Sequence, residues 1–208
     1  MKKSAERTDI VMESNLAYQY DAWGDEWREE TVGGEVIALA TPNMRHNFIV
    51  GNLYNIFSNY LRGKRCTPFS DNTKLFLEDG EKYIPDFMIV CNPDKLKNNG
   101  VHGAPDLVAE VLSPSTGKND KGRKKDVYEK HGVKEYWIIS PGDQSVEQYI
   151  LTDGVFVLRE VYTRYSKNML EELTEEERDK IITEFQCTLF DDLLIRLDDI
   201  FYRVPFNI

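Results

Sequence analysis

Two apolar runs in the middle of the chain, YIPDFMIVC at residues 83–91 and DLVAEVL at residues 106–112, decide the fold. Their length and their apolar and β-branched side chains predict strands, and the first run is apolar enough for a sheet interior. The steps Pro85-Asp86 and Pro105-Asp106 each open an apolar stretch. Proline at the start of a strand is structurally ordinary, so neither step indicates a function by itself.

Glu110 lies inside the second run and carries the first functional signal. Side chains alternate along a strand, so Asp106 and Glu110 share one face, and a carboxylate among apolar neighbours is costly unless it is paired or metal-bound. Asp106 is about 13 Å away along the strand, whereas two oxygens on one Mg²⁺ lie within about 4 Å of each other. Adjacent strands are only about 4.8 Å apart. The partner is therefore expected on another strand, and Asp86 is the natural candidate.

The elements around these runs predict a mixed α/β domain. Apolar residues at three- and four-residue steps indicate a helix over residues 44–61. The pair Gly33-Gly34 indicates a tight turn in a hairpin at residues 28–40, and residues 91–103 are expected to be an exposed loop. Further predictions are strands over residues 66–70, 73–77 and 135–140, a helix over residues 120–131 ended by Gly132, and a hairpin across Thr152-Asp153-Gly154.

The length and composition set the domain organisation. The 208 residues predict one domain at 27–202, with an N-terminal lead-in at 1–26 and a C-terminal tail at 203–208. No run approaches the ~20 apolar residues that cross a bilayer, so we expect a cytoplasmic protein without a membrane segment. The chain has three cysteines, Cys66, Cys91 and Cys187. Their odd number and their apolar sequence contexts favour buried reduced thiols over disulfides or a zinc site.

The net charge of −10 argues against nonspecific binding to a polyanion. The charge is unevenly distributed, however: residues 44–140 hold 15 Lys and Arg against 12 Asp and Glu, so the negative charge lies in the ends of the chain. This central block contains the basic stretch GKNDKGRKKD. Its candidate nucleic-acid-binding side chains are Lys118, Lys121, Arg123 and Lys125.

The same basic stretch begins a series, Asp120, Lys124 and Tyr128, whose four-residue steps a helix places along one face. Carboxylates hold a hard cation that polarises a phosphate and lowers the pKa of a bound water. A lysine offsets the negative charge that develops in the transition state. Asp86, Glu110 and Lys124 thus form a candidate catalytic site for phosphodiester hydrolysis.

Several of these motifs together resemble the Uma-type family of bacterial restriction-endonuclease-like proteins, long catalogued as a domain of unknown function. The resemblance rests on YIPDFMIV, GAPDLVAEVLSPST, the Asp120-Lys124-Tyr128 series and GVKEYWIIS. The flanks are also similar, through Gly33-Gly34-Glu35, His46 and the C-terminal FQCTLFDDLLIRLDDIF. The likeness covers roughly residues 27–202.

The resemblance implies the PD-(D/E)xK nuclease superfamily and a restriction-endonuclease-like α/β core with flanking helices and added hairpins. It implies Asp86 and Glu110 as ligands of Mg²⁺, with Mn²⁺ as a substitute, and DNA as the partner; no organic cofactor is expected. In the general superfamily pattern the lysine lies two residues after the second acid, where this chain has Leu112. The resemblance suggests that Lys124 takes its place.

Each assignment has a structural alternative. Asp86 also suits a strand entry, Glu110 a buried ion pair, and Lys124 an ordinary helical ion pair. Four further residues are assigned supporting roles only: Asp120, Tyr128, His46 and Glu35.

Three functional hypotheses follow. The first is a Mg²⁺-dependent endonuclease acting on DNA, expected to be a homodimer because cutting both strands suits two-fold symmetry. The second is a catalytically silent nucleic-acid-binding or interaction module of the same fold, which the acidic charge and the missing in-strand lysine favour. The third is a metal-dependent hydrolase of small phosphorylated substrates, for which an acidic exterior matters less.

Overall fold

The computed structural model describes residues 29–32, 34–39, 41–113, 117 and 120–206. The predicted lead-in at residues 1–26 and the side chain of Lys118 lie outside these residues. The strands are β1 (Glu29–Val32), β2 (Glu35–Ala38), β3 (Thr67–Ser70), β4 (Leu75–Phe76), β5 (Lys82–Tyr83), β6 (Phe87–Val90), β7 (Leu96–Lys97), β8 (Gly100–His102), β9 (Leu107–Val111), β10 (Glu135–Ser140), β11 (Ser145–Thr152), β12 (Val155–Thr163), β13 (Glu184–Gln186) and β14 (Leu194–Arg196). The α-helices are α1 (Met44–Tyr60), α2 (Lys125–Lys130), α3 (Lys167–Glu171), α4 (Glu175–Arg178) and α5 (Leu197–Ile200).

A mixed six-stranded sheet with the order β12-β11-β10-β9-β6-β3 is the centre of the fold. Strands β9 and β10 run parallel, while the other neighbours are antiparallel. The connection between β9 and β10 contains α2, as a crossover between parallel strands requires. A second six-stranded sheet has the order β2-β1-β5-β4-β8-β7, and β13 and β14 pair separately. The predicted mixed α/β class is confirmed.

Both faces of the central sheet are covered by apolar side chains. Along β9, Leu107, Ala109 and Val111 join one buried cluster, whereas Val108 joins the other. Helix α1 packs on the first cluster, since it begins at the Asn43 cap and presents apolar residues at helical spacing. Its fully buried side chains, each contributing roughly 1.5–3 kcal/mol, are Ile49, Leu53 and Phe57.

Two strand-level predictions were wrong. The run at residues 83–91 is split between the sheets, because β5 ends at Tyr83 and β6 begins at Phe87. Pro85 lies in the break, where its missing N–H cannot extend a ladder. The expected exposed loop at residues 91–103 contains the paired strands β7 and β8. Gly100 is required there, because its φ is 143° and a Cβ would collide with the Lys74 carbonyl.

The cysteines also differ in part from the prediction. Cys66 and Cys91 form a disulfide, so the expectation of reduced thiols is wrong for this pair. The two cysteines are adjacent because Thr67 lies opposite Val90 in the β3–β6 register, and Cys66 and Cys91 are the next residues along these strands. Such proximity leaves no local sequence signal. Cys187 is free and buried as expected, and burial raises the pKa of its thiol. Across the described residues, no helix is long and apolar enough to span a membrane.

Candidate active site

Asp86 and Glu110 meet at the point where β6 and β9 pair. Phe87 lies opposite Ala109 in this antiparallel pair. Extending the register by one residue places Asp86 beside Glu110. The backbone N–H of Val111 donates to Asp86 Oδ2 at 2.7 Å, and the N–H of Asp86 lies 3.4 Å from Glu110 Oε2. The predicted adjacency of these two acids is therefore observed, while their role as metal ligands stays a prediction.

Asp106 has a different environment, as expected from its distance along the strand. Its Oδ2 accepts a hydrogen bond from the backbone N–H of Cys91 at 2.7 Å, and Lys134 Nζ lies 2.7 Å from its Oδ1. These contacts connect the residue that follows β6 with the residues that precede β9 and β10. Asp106 is thus a structural residue at the opposite end of β9 from Glu110.

Lys124 lies buried between three carboxylates, with only 4% of its surface exposed. Its Nζ is 3.0 Å from Glu30 Oε1, 3.3 Å from Glu110 Oε1 and 3.5 Å from Asp120 Oδ1. Burial by itself lowers the pKa of Lys124, but the surrounding carboxylates, led by Glu110, outweigh burial and raise it well above the usual lysine value. Lys124 is therefore a charged ammonium, and the structure brings it to the predicted acid pair.

The segment that presents Lys124 is a π-helical turn, Asp120–Lys124, followed directly by α2. The prediction of a regular α-helix from residue 120 was wrong for this turn. A π-helix widens the helix by one residue per turn, and such bulges occur frequently at functional sites. Here the turn buries both Asp120 and Lys124.

Two tyrosines support the cluster from the helix and from β10. The Tyr128 hydroxyl donates to Glu110 Oε1 at 2.9 Å, and the Tyr136 hydroxyl donates to the backbone carbonyl of Asp120 at 2.9 Å. Both rings are fully buried, and burial raises the pKa of both hydroxyls well above the usual tyrosine value. They remain hydrogen-bond donors at neutral pH.

Glu30 belongs to the cluster although the sequence analysis did not select it. Its Oε1 accepts the backbone N–H of Ile84 at 3.0 Å and also contacts Lys124. Only 3% of Glu30 is exposed. The available signal was alternation along EETV, which places Glu30 on the same face as the buried Val32. Glu35, the glutamate expected from this hairpin, lies exposed on β2 instead.

His46 approaches Asp86 from the first turn of α1. The Asn43 side chain accepts the backbone N–H of His46 at 3.0 Å, which fixes the start of the helix. His46 Nε2 lies 2.9 Å from Asp86 Oδ1. Burial alone lowers the pKa of His46, but the hydrogen bond and charge of Asp86 raise it above the usual histidine value. His46 thus orients the Asp86 carboxylate.

The cluster has an excess of negative charge. Three carboxylates, Glu30, Glu110 and Asp120, contact the ammonium of Lys124, and a fourth, Asp86, lies beside Glu110. Burial raises the pKa of Glu110 well above its usual value; Lys124 opposes this rise, and the neighbouring acids reinforce it. A divalent cation at the acid pair would relieve this excess.

The acid pair also has the acceptor capacity for a hard cation. A carboxylate offers about four lone-pair sites; Asp86 uses two of them and Glu110 three in the contacts above. No group of three or more His, Cys, Asp or Glu in the part of the chain that the structure describes has the arrangement of a complete metal site. Mg²⁺ suits two carboxylates, since it commonly keeps several waters and binds substrate phosphates.

The basic stretch beside the cluster is largely exposed. Lys121 Nζ lies 2.5 Å from Glu147 Oε1, and Lys125 Nζ lies 3.9 Å above the Tyr149 ring. Arg123 is exposed. These three side chains share a short surface segment next to Lys124, and their contact with nucleic acid stays a prediction.

Known proteins show the same family and fold. The family model Uma2, described as "Putative restriction endonuclease", matches residues 17–183. Two uncharacterized proteins of Synechocystis sp., slr1290 and sll1609, are each 29% identical, over 139 and 126 residues, which are 65% and 59% of this chain and 73% and 71% of the relatives.

A solved structure from Anabaena variabilis, named as "a putative nuclease belonging to DUF820", has a TM-score of 0.64 and 18% identity, covering 89% of this chain and 96% of that chain. This similarity shows that the two chains share a fold. Because the family model spans more than half of the sequence, the protein belongs to the Uma2 family of restriction-endonuclease-like proteins.

Proposed function

We propose that this protein is a Mg²⁺-dependent endonuclease that hydrolyses phosphodiester bonds of DNA. The observation that carries the proposal is the acid pair of half-buried Asp86 and buried Glu110, with Lys124 3.3 Å from Glu110. Two carboxylates and an ammonium on adjacent elements are the groups that this hydrolysis needs. The family and the nuclease-like fold support the same class of reaction.

Asp86 and Glu110 would hold the Mg²⁺, with Mn²⁺ as a substitute. The ion, when bound, polarises a phosphate oxygen and lowers the pKa of a bound water. Lys124 offsets the negative charge that develops on the phosphate. Tyr128 and Asp120 hold Lys124 and Glu110 in place, and His46 orients Asp86, so these three are positioning residues.

The basic segment Lys121, Arg123 and Lys125, together with Lys118, supplies cations for the DNA backbone in this proposal. We further propose a cytoplasmic homodimer, since two-fold symmetry suits cleavage of both strands. Light scattering of the purified protein tests the dimer, and a monomeric mass at working concentration would contradict it.

Plasmid cleavage tests the hydrolysis. We expect supercoiled plasmid to be nicked or linearised in Mg²⁺ or Mn²⁺, and Asp86→Asn and Glu110→Gln to lower the rate by about 100-fold or more. Asp94→Asn is the matched control, because Asp94 also follows a proline but lies exposed outside the cluster. Plasmid left intact across a range of both ions, with no difference between wild type and Asp86→Asn, would contradict the proposal.

A crystal soaked in Mn²⁺ tests the ligands separately from the activity. Anomalous density between Asp86 and Glu110 is expected, and an ion bound elsewhere would refute the ligand assignment.

Metal-independent DNA binding without cleavage would favour a catalytically silent module of the same fold. That alternative is favoured by Leu112, which occupies the usual lysine position, and by the engagement of Lys124 with three carboxylates. Turnover of nucleotides or dinucleotides, but not of plasmid, would point to a hydrolase of small phosphorylated substrates.

A further inference from the structure

A groove outside the acid pair lies between the first turns of α1 and the segment that follows α5. Its volume is about 470 Å³, within the range of sites for small ligands. Three arginines and two half-buried phenylalanine rings line it, Arg45, Arg164, Arg203, Phe48 and Phe206. A chain with a net charge of −10 thus gathers cations and aromatic rings at one concave surface.

Arg164 is held in a fixed orientation at this groove. Its Nε donates to Asp198 at 2.6 Å and its Nη1 donates to Gln144 at 2.8 Å. Its guanidinium carbon lies 5.0 Å from the centre of the Phe206 ring. These contacts use only part of the five N–H donors of the guanidinium, so Arg164 keeps donors for an anion.

Arg203 forms the exposed side of the groove. Its φ is 61°, a conformation that a residue with a side chain rarely adopts. Strained backbone of this kind is often found at ligand clamps. Arg45, which also lines the groove, directly precedes His46, whose ring contacts Asp86. The groove is therefore joined to the acid pair through the first turn of α1.

We propose that this groove binds one nucleotide of a single-stranded nucleic acid, outside the phosphate that is cleaved. The arginines pair with the backbone phosphate, and the base stacks on the half-buried phenylalanine rings, as in other binders of single strands. An acidic peptide would satisfy the arginines but has no planar base to occupy the ring-lined wall. The proposal rests on the proposed nuclease function and names the part of the substrate that lies beside the site.

Fluorescence anisotropy with a labelled 12-nucleotide oligothymidylate in EDTA measures this binding without cleavage. We expect the Arg45→Glu/Arg203→Glu variant to weaken binding at least tenfold. Its binding should also depend less on salt, because fewer phosphate contacts mean that fewer counterions are released on binding. Phe206→Ala is expected to weaken binding about fivefold or more through lost stacking. Arg62→Glu is the control, since Arg62 is exposed just beyond the other end of α1.

Equal losses in Arg62→Glu and in Arg45→Glu/Arg203→Glu, no loss in any groove variant, or tight binding of the oligonucleotide only as a duplex would overturn the proposal. Plasmid cleavage separates it from the proposed function. If the wild type cleaves plasmid and the groove variants bind and cleave equally well, the groove assignment fails and the nuclease stands. If the groove variants lose binding but no variant cleaves, the groove stands and hydrolysis fails.

Discussion

Lys121 and Lys124 lie three residues apart on the same helical segment, yet their environments are opposite. The Lys124 side chain is 6% exposed and contacts three carboxylates, whereas the Lys121 side chain is 50% exposed and contacts Glu147. A surface ion pair is worth little, because water and salt screen it. A buried charge depends on its partners, because each unpaired ion in the interior costs several kcal/mol. The comparison shows that burial, rather than charge density along the sequence, separates the candidate catalytic lysine from its basic neighbours.

The largest expected effect is that of Lys124→Met. This change leaves Glu30, Glu110 and Asp120 without their shared cation, so we expect a loss of about 3–5 kcal/mol in the free energy of unfolding. Lys121→Met is the matched control and should lose about 0–1 kcal/mol. Urea unfolding at neutral pH measures both. Equal losses in the two variants would break the comparison.

Glu30→Gln is expected to have the next largest effect. Glutamine keeps an acceptor for the Ile84 N–H but removes the charge that faces Lys124, which should cost about 1–3 kcal/mol. Glu29→Gln is the control, because Glu29 lies one residue away and meets Lys82 at 3.4 Å near the surface. The same urea series applies. If Glu30→Gln and Lys124→Met were additive when combined, Glu30 would not act through Lys124.

Tyr128→Phe tests the donor that faces Glu110, and should cost about 1–2 kcal/mol at pH 8. Burial raises the pKa of Tyr128, with Glu110 adding to the rise. The stability supplied by the protonated hydroxyl is fully present below about pH 10, the usual tyrosine pKa, and is lost as the pH rises further. Between pH 8 and 11, the free energy of unfolding should therefore decline less steeply in Tyr128→Phe than in the wild type. The exposed Tyr202→Phe should retain the wild-type slope, and a shallower slope there would contradict this attribution.

The smallest effect is expected at Lys125, which is intermediate between the two lysines. Its Nζ lies 3.9 Å from the centre of the Tyr149 ring, a cation–π contact worth about 0.5–1 kcal/mol at such a site. Lys125→Gln should lose about this amount, and the loss should disappear when Tyr149 is replaced by leucine. Thermal unfolding of the double-mutant cycle provides the measurement. A loss that persists without the ring would refute the contact.

Prediction from the sequence succeeded where the reasoning depended on strand geometry. Alternation along β9 placed Glu110 on a buried face, and the short spacing between strands selected Asp86 over Asp106. Both placements follow from dimensions that every sheet shares. The four-residue series from Asp120 also brought Lys124 and Tyr128 to Glu110, because a helix and a π-helical turn both return side chains to roughly one face.

Prediction failed where residues distant in sequence had to meet. Glu30 reaches Lys124 only because the second sheet brings the first hairpin beside the break at Pro85. The disulfide between Cys66 and Cys91 depends on the β3–β6 register, and β7 and β8 depend on pairing with each other and with β4. None of these contacts has a local period in the sequence, so composition alone indicated a loop and free thiols.

The sequence by itself determined that Glu110 is a carboxylate in a strand interior and needs a partner, because the cost of an unpaired buried charge applies in any fold. It also determined the helical lysine and the mixed α/β class. Only the tertiary structure decided that one buried ammonium is shared by Glu30, Glu110 and Asp120, and that three arginines from separate parts of the chain line one groove. Such convergence depends on how the two sheets and α1 pack together, and packing joins residues whose distance along the chain carries no information about their distance in space.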